Sequence, residues 1–288
     1  NGIMAAYSGK EVFFSEPYRP HAWPAKYALK CDFNVMGLAA FGSAVAILTD
    51  GPPYVAQGTH PDNMRMERIE VTLPCINRRS IVDLGDKVAY ASWEGLATIS
   101  AAGAGVVSNS LFTEEQWYLM APGSFVASRY RGRYMLSHDQ VGAEPRRISM
   151  IDLTGQQPYL IQSTLAPLAY HFDDKTGDLY YLHEDKRRVY RFDDRTNGNT
   201  LYTWRSKVFD LAEPMNFGAI IVVGAENPVA PTFTCRVYAD GILRRTITSG
   251  INEVQRLPSG FLSTRWEIEV AGNARVNAIA MAISPEEL

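Results

Sequence analysis

Short apolar runs recur along the first two thirds of the chain, each closed by a polar, turn-forming stretch. Met4-Ala5-Ala6-Tyr7, Ala46-Ile47-Leu48-Thr49, Val88-Ala89-Tyr90-Ala91, Tyr134-Met135-Leu136-Ser137 and Leu179-Tyr180-Tyr181-Leu182 are spaced by 42, 42, 45 and 46 residues, counted from Ala5 to Ile47, Ala89, Tyr134 and Tyr180. Turns then lead into second strands. Gly51-Pro52-Pro53 opens onto Tyr54-Val55-Ala56, Glu94-Gly95 onto Leu96–Ile99, and Glu184-Asp185-Lys186 onto Arg188–Phe192. A further strand precedes each pair and ends near Gly42, Gly85, Gly132 or Gly177. Three or four strands per 42–46 residues is the size of a propeller blade. The pattern predicts an all-β fold, with β-propeller-like repeats over residues 1–200.

Helical signal is confined to Thr113-Glu114-Glu115-Gln116-Trp117. There Thr113 and Gln116 have the spacing of a capping box and predict one short helix. The polar run from Asp193 to Thr200 marks a domain boundary. Beyond it, residues 201–288 read as an antiparallel β-sandwich of roughly seven strands. Phe233, Cys235 and Val237 alternate onto one face, and Asp240-Gly241 is a hairpin turn into Ile242–Thr248. Trp266–Val270 alternates toward Gly272-Asn273 and returns as Val276–Ile283.

Composition narrows the function classes. The net charge of −3 over 288 residues supplies no broad basic face for gripping nucleic acid. Cys31, Cys75 and Cys235 are odd in number and lack C-x-x-C spacing, which fits a reducing compartment and neither a zinc site nor a disulfide framework. The uncharged stretch Val35–Leu48 is 14 residues, shorter than the roughly 20 of a spanning helix. It reads as two buried strands around a glycine turn. The chain opens on Asn1-Gly2 in a strand-like run, as the continuation of a longer parent would.

Candidate chemistry is thin. Asp173–Asp178 places oxygen ligands at alternating positions but lacks a distal glutamate, so a β-turn accounts for it. His21, His60, His138, His171 and His183 include no i, i+4 pair, and His171 and His183 meet only if a hairpin brings them together. Gly103-Ala104-Gly105 lacks the third glycine of a nucleotide-binding turn and reads as a flexible loop. Glu94, Asp139 and Asp178 are the turn carboxylates a propeller hydrolase would use, with nothing to link them. No catalytic, cofactor-binding or metal residue is assigned. For interfaces, Arg129, Arg131 and Arg133 are expected to share one face of a strand, with Tyr130 and Tyr134 on the other. Phe112, Trp117 and Trp204 are aromatic anchor candidates that could equally be core.

Several segments resemble virion structural proteins of tailed bacteriophages. They are Leu48-Thr49-Asp50-Gly51-Pro52-Pro53-Tyr54 with Gly58, Pro74–Val82, Ala91–Leu96, Leu111–Trp117, Tyr202–Phe209 and Arg256-Leu257-Pro258. The resemblance is to the tail nozzle, or tail hub, of short-tailed (podovirus-type) phages, whose members are usually longer than this chain. It implies a non-catalytic homo-oligomeric ring in the virion tail, commonly of six copies, assembled in the host cytoplasm. DNA would cross its channel without sequence-specific binding, and adaptor, fibre or plug proteins would be its neighbours. A ring of identical subunits uses two different patches on each protomer. A receptor-recognition module of a tail fibre or spike, and a propeller hydrolase acting on host polysaccharide, are the alternatives.

Overall fold

The computed structural model describes residues 2–142, 145–153, 158–163, 165–194, 201–226 and 231–288. The chain divides into two compact units, Asn1–Phe192 and Asp193–Leu288. Residues 195–200, the last six of the eight in the polar boundary run, lie outside the described residues.

The first unit is a succession of five antiparallel meanders. Strands β1 (Ala5–Ser8), β2 (Glu11–Phe14) and β3 (Leu29–Lys30) make the first sheet. The second contains β4 (Val35–Phe41), β5 (Ala44–Thr49), β6 (Tyr54–Gln57) and β7 (Arg65–Arg68). The third is β8 (Val82–Asp83), β9 (Lys87–Ser92), β10 (Gly95–Ser100) and β11 (Gly103–Val106), followed by helix α1 (Glu114–Leu119). The fourth sheet comprises β12 (Val126–Tyr130), β13 (Arg133–His138), β14 (Arg147–Asp152) and β15 (Tyr159–Ser163). Strands β16 (Ala169–Asp173), β17 (Asp178–Leu182) and β18 (Val189–Arg191) complete the set. The first strand of each sheet lies against the first strand of the next, from β1 through β4, β8 and β12 to β16. This is a propeller-like stacking of blades. Among the described residues, no strand of the fifth sheet pairs with the first, so hydrogen bonding does not close the array.

The continuous apolar runs now have a physical cause. Alternate side chains of a strand point to opposite faces, and each inner sheet is packed on both. Ile47 faces the core shared with the first sheet, while Ala46 and Leu48 face the third. Val88 and Tyr90 return that packing, whereas Ala89 and Ala91 serve the core with the fourth sheet. Tyr134 and Leu136 pack there, and Met135 turns to the fifth sheet with Leu179. Each fully buried large side chain contributes about 1.5–3 kcal/mol. The expected glycines sit at the first turn of the second to fifth sheets, with φ of +52° at Gly42 and +94° at Gly85, a region glycine enters without a Cβ penalty.

The segment Cys75–Ser80 binds the blades together. The Cys75 amide donates to Thr49 O (2.8 Å) and the Ile76 amide to Ala91 O (3.2 Å). Asn77 Nδ2 donates to Phe125 O (2.6 Å), Arg79 to Leu168 O (2.6 Å), and Tyr134 Oη to Ser80 O (2.7 Å). Six residues thus reach the second, third and fourth sheets and the chain entering the fifth.

The second unit contains β19 (Tyr202–Arg205), β20 (Phe209–Met215), β21 (Ala219–Ala225), β22 (Phe233–Ala239), β23 (Ile242–Ile247), β24 (Val254–Arg256), β25 (Ser263–Gly272) and β26 (Arg275–Ala282). Five strands form one sheet in the order β19-β25-β22-β23, with β20 also on β25, and three form another in the order β24-β21-β26. One core joins them: Phe233, Cys235, Val237, Trp266, Ile268 and Val270 from the first, Ile220 and Val222 from the second. Asp240 (φ +53°) and Gly241 (φ +76°) make the predicted β22–β23 turn, both residues being left-handed as a type I′ hairpin requires.

Four local expectations are corrected. Met4–Tyr7 falls on β1, the first strand of its sheet, whereas the other four runs fall on second strands. An apolar run does not say which strand of a sheet it forms. Gly103-Ala104-Gly105 is part of strand β11, not a flexible loop, because Ser100, Ala97 and the residues between pair with it. Val276–Ile283 does not return beside β25, since β26 pairs with β21 in the other sheet. Gly272 and Asn273 carry the chain across, where the Asn273 amide donates to Thr232 O (3.0 Å) and its side-chain oxygen accepts from the Thr232 amide (2.8 Å). Finally, Arg129, Arg131 and Arg133 do not share a strand: Arg129 lies on β12, Arg133 on β13, and Arg131 (φ +49°) in the turn between. Tyr130 and Tyr134 are separated with them, Tyr134 in the core with the third sheet and Tyr130 in that with the fifth.

Candidate interaction surface

The arginine hairpin is already engaged. Arg129 pairs with the Asp174 carboxylate and lies over the Phe172 ring at 4.6 Å. Arg131 covers Tyr130 at 5.0 Å. Arg133 Nε donates to Asp152 Oδ2 (2.6 Å) and its Nη2 to Tyr159 Oη (3.2 Å). Arg129 thus ties the fourth sheet to the fifth, Arg131 and Arg133 make contacts within the fourth, and the three do not form one basic stripe. The Asp173–Asp178 run is the β16–β17 turn: Asp173 accepts from the Lys175 amide (2.9 Å) and Thr176 Oγ1 (3.1 Å). His171 lies opposite Tyr180, while His183 packs on Tyr190, so the two do not pair across the hairpin. Asp139 pairs with Arg146 at 2.7 Å and Asp178 with Arg191 at 3.9 Å, and Glu94 lies at the β9–β10 turn.

The aromatic candidates separate by burial. Trp117 is 2% exposed, donates Nε1–H to Ser92 O (2.9 Å) and meets Phe125 edge-on at 5.3 Å. It is core, and half-buried Phe112 packs on it at 6.0 Å. Trp204 on β19 is exposed. The capping box forms as read: Thr113 Oγ1 accepts from the Gln116 amide (3.2 Å) and Gln116 Oε1 from the Thr113 amide (3.0 Å). With Trp117 turned inward, α1 presents Tyr118 and Leu119 outward.

Helix α1 walls an open groove of about 480 Å³. Phe112, Leu119, Val141 and Leu160 are among its apolar side chains, and its polar groups are the amides of Gln116, Gln140 and Gln162. Among the described residues, no charged one lines it. Beneath it runs a buried polar chain: Gln162 Nε2 donates to Ser149 Oγ (3.3 Å), and Ser149 Oγ lies 2.9 Å from His138 Nε2. His138 Nδ1 is 2.8 Å from Asp139 O. A carbonyl only accepts, so Nδ1 carries the proton and Nε2 accepts from the serine. Burial holds the His138 pKa below its ordinary value, keeping it neutral. The pair resembles a nucleophile–base dyad, but both residues are fully buried and Nδ1 faces a backbone carbonyl instead of a carboxylate. It supports a wall and presents no nucleophile. Among the described residues, no three His, Cys, Asp or Glu side chains gather as a metal site.

In the second unit, β26 pairs only with β21 among the described residues, leaving one edge bare over eight residues. Its single charge is Arg275, at its first position. The unit's other edge strands carry Arg205 on β19, Asp210, Glu213 and Pro214 on β20, Arg244 and Arg245 on β23, and Arg256 on the three-residue β24. The outer face beside that edge is apolar: Ile221 lies between Val254 and Ala280, and Val223 lies opposite Ala278.

No family model matches the chain, and no curated protein sequence matches it. Solved structures give distant likenesses. The N-terminal domain of Nup159 is 10% identical over 93% of this chain and 86% of its own, with a TM-score of 0.39. Dihydro-heme d1 dehydrogenase NirN is 12% identical over 88% of this chain and 55% of its own, at 0.40. The exo-beta-1,3-galactanase of Phanerochaete chrysosporium is 9% identical over 98% of this chain and 95% of its own, at 0.29. Likeness at this level carries neither partner nor activity from those proteins to this chain. Among the described residues, no helix is long and apolar enough to cross a membrane.

Proposed function

We propose that this chain is a structural, non-catalytic component of a short-tailed bacteriophage tail, a nozzle or hub subunit whose propeller-like region and β-sandwich tile into a ring. The observation that carries the ring is the bare β26 edge with its apolar flank. A long edge strand without charge or proline inside it invites pairing, and monomeric proteins protect such edges. A heterologous contact with the next copy covers it and uses a second, different patch in return. The tail assignment rests on the tail-protein-like segments, including Pro74–Val82, whose Cys75–Ser80 portion spans the blades. Six copies would surround a channel in the virion tail, contacting adaptor, fibre or plug proteins. The mildly acidic chain suits a wall that lets DNA pass, because few counterions would be released on contact. The sealed Ser149–His138 pair supports the non-catalytic reading.

Light scattering and electron microscopy of the purified chain test this. The expected particle is a ring with a pore, and Ala280→Lys, which places a charge beside the bare edge, is expected to shift it toward monomer. A monomer at all concentrations, absent from virions, would overturn the reading.

A further inference from the structure

The groove beside α1 carries an inference that stands whether or not the chain belongs to a tail. We infer that it is a docking site for an extended, uncharged segment of another protein chain. Charge decides first. With no ionic group among the described residues of the lining, an anionic or cationic ligand would surrender hydration without a counter-charge. Hydrogen-bond chemistry decides next. Gln116 spends its carbonyl oxygen on the Thr113 amide, which leaves its NH2 to donate. Gln162 spends its NH2 on Ser149, which leaves its oxygen to accept. Gln140 keeps both, since its side chain has no partner among the described residues. One donor, one acceptor and one group that is both match the N–H and C=O groups that alternate along an extended backbone.

The walls fit the same occupant. Leu119 and Val141 are 44% and 49% exposed, side chains that an apolar residue of the guest would cover. Among the described residues the apolar part of the lining is aliphatic apart from Phe112, which packs on Trp117, so no broad aromatic platform is offered to a sugar or a base. A volume near 480 Å³ falls within the range of about 300–1,000 Å³ typical of ligand sites, enough for a few residues. The walls are also held in place. Trp117 anchors α1 in the core, the Val141 amide donates to Leu119 O (2.9 Å), the Asp139 amide to Ser124 Oγ (2.9 Å), and Arg146 pairs with Asp139. A site fixed in advance pays little ordering entropy when it binds.

A displayed library of random dodecapeptides, panned on the whole chain, tests this, with an enriched peptide then synthesised and its affinity measured by fluorescence anisotropy. The expected winners contain an uncharged apolar run. Leu119→Glu is expected to weaken binding at least about ten-fold and Gln140→Ala about three-fold, while Tyr118→Ala, exposed on α1 outside the lining, leaves it unchanged. Leu119 and Tyr118 are exposed and Gln140 is half-buried, so thermal melts matching the parent will separate lost binding from lost folding. No enrichment, winners with a charged consensus, or affinity indifferent to Leu119→Glu would overturn the proposal. So would self-association of the chain that Leu119→Glu abolishes, because the occupant would then be a second copy.

Discussion

Replacing Trp117 with alanine removes an indole that is 2% exposed, its hydrogen bond to Ser92 O at 2.9 Å, and an edge-on contact with Phe125 at 5.3 Å. Core Trp→Ala changes cost about 3–5 kcal/mol, cavity included. For a unit the size of Asn1–Phe192, each kcal/mol lowers the Tm by about 2–4 °C. The expected fall is therefore about 6–20 °C. Trp117→Phe keeps most of the apolar volume but leaves Ser92 O without its indole donor, at a cost of about 1–2 kcal/mol. Differential scanning calorimetry of the full chain reads both. A fall of less than about 2 °C for Trp117→Ala would refute the core assignment. A change in self-association with no change in Tm would restore Trp117 as an interface anchor.

Gly272 has φ of +137°, and a Cβ there would sit 2.8 Å from the Thr232 carbonyl carbon and 3.0 Å from Phe233 Cα. Gly272→Ala is expected to destabilise the second unit by more than about 2 kcal/mol in urea unfolding, whereas Gly105→Ala, with open space around its Cβ, stays within about 1 kcal/mol. An equal effect from the two would sink the crossover account. His138 is held neutral by burial, its folded pKa lying below the ordinary value of about 6.5. Below that value the unfolded chain binds a proton that the folded chain does not, so stability is full above it and declines as pH falls toward the folded pKa. His138→Gln should flatten this decline in a Tm series from pH 7.5 to 5; an unchanged slope would place it on other groups.

The chain's own chemistry determined whatever depends on neighbours a few residues away. Gly42, Gly85, Gly132 and Gly177 marked turns because positive φ is a property of the residue itself. The Thr113–Gln116 box and the alternation of Phe233, Cys235 and Val237 were legible because capping and a two-residue period are local. Tertiary structure decided the rest. Whether an apolar run is the first or second strand of a sheet depends on its partners, which is why Met4–Tyr7 fell out of step. Arg129 and Arg133 were parted by a turn that alternation alone does not reveal, and Trp117 went inward because of where Ser92 and Phe125 arrive. The groove left no sequence signal. Gln116, Gln140 and Gln162 converge only once the linker after the third sheet packs against the fourth, and His138 reaches Ser149 only through the register of β13 with β14. Proximity between distant residues comes from packing and register, and a linear pattern carries neither.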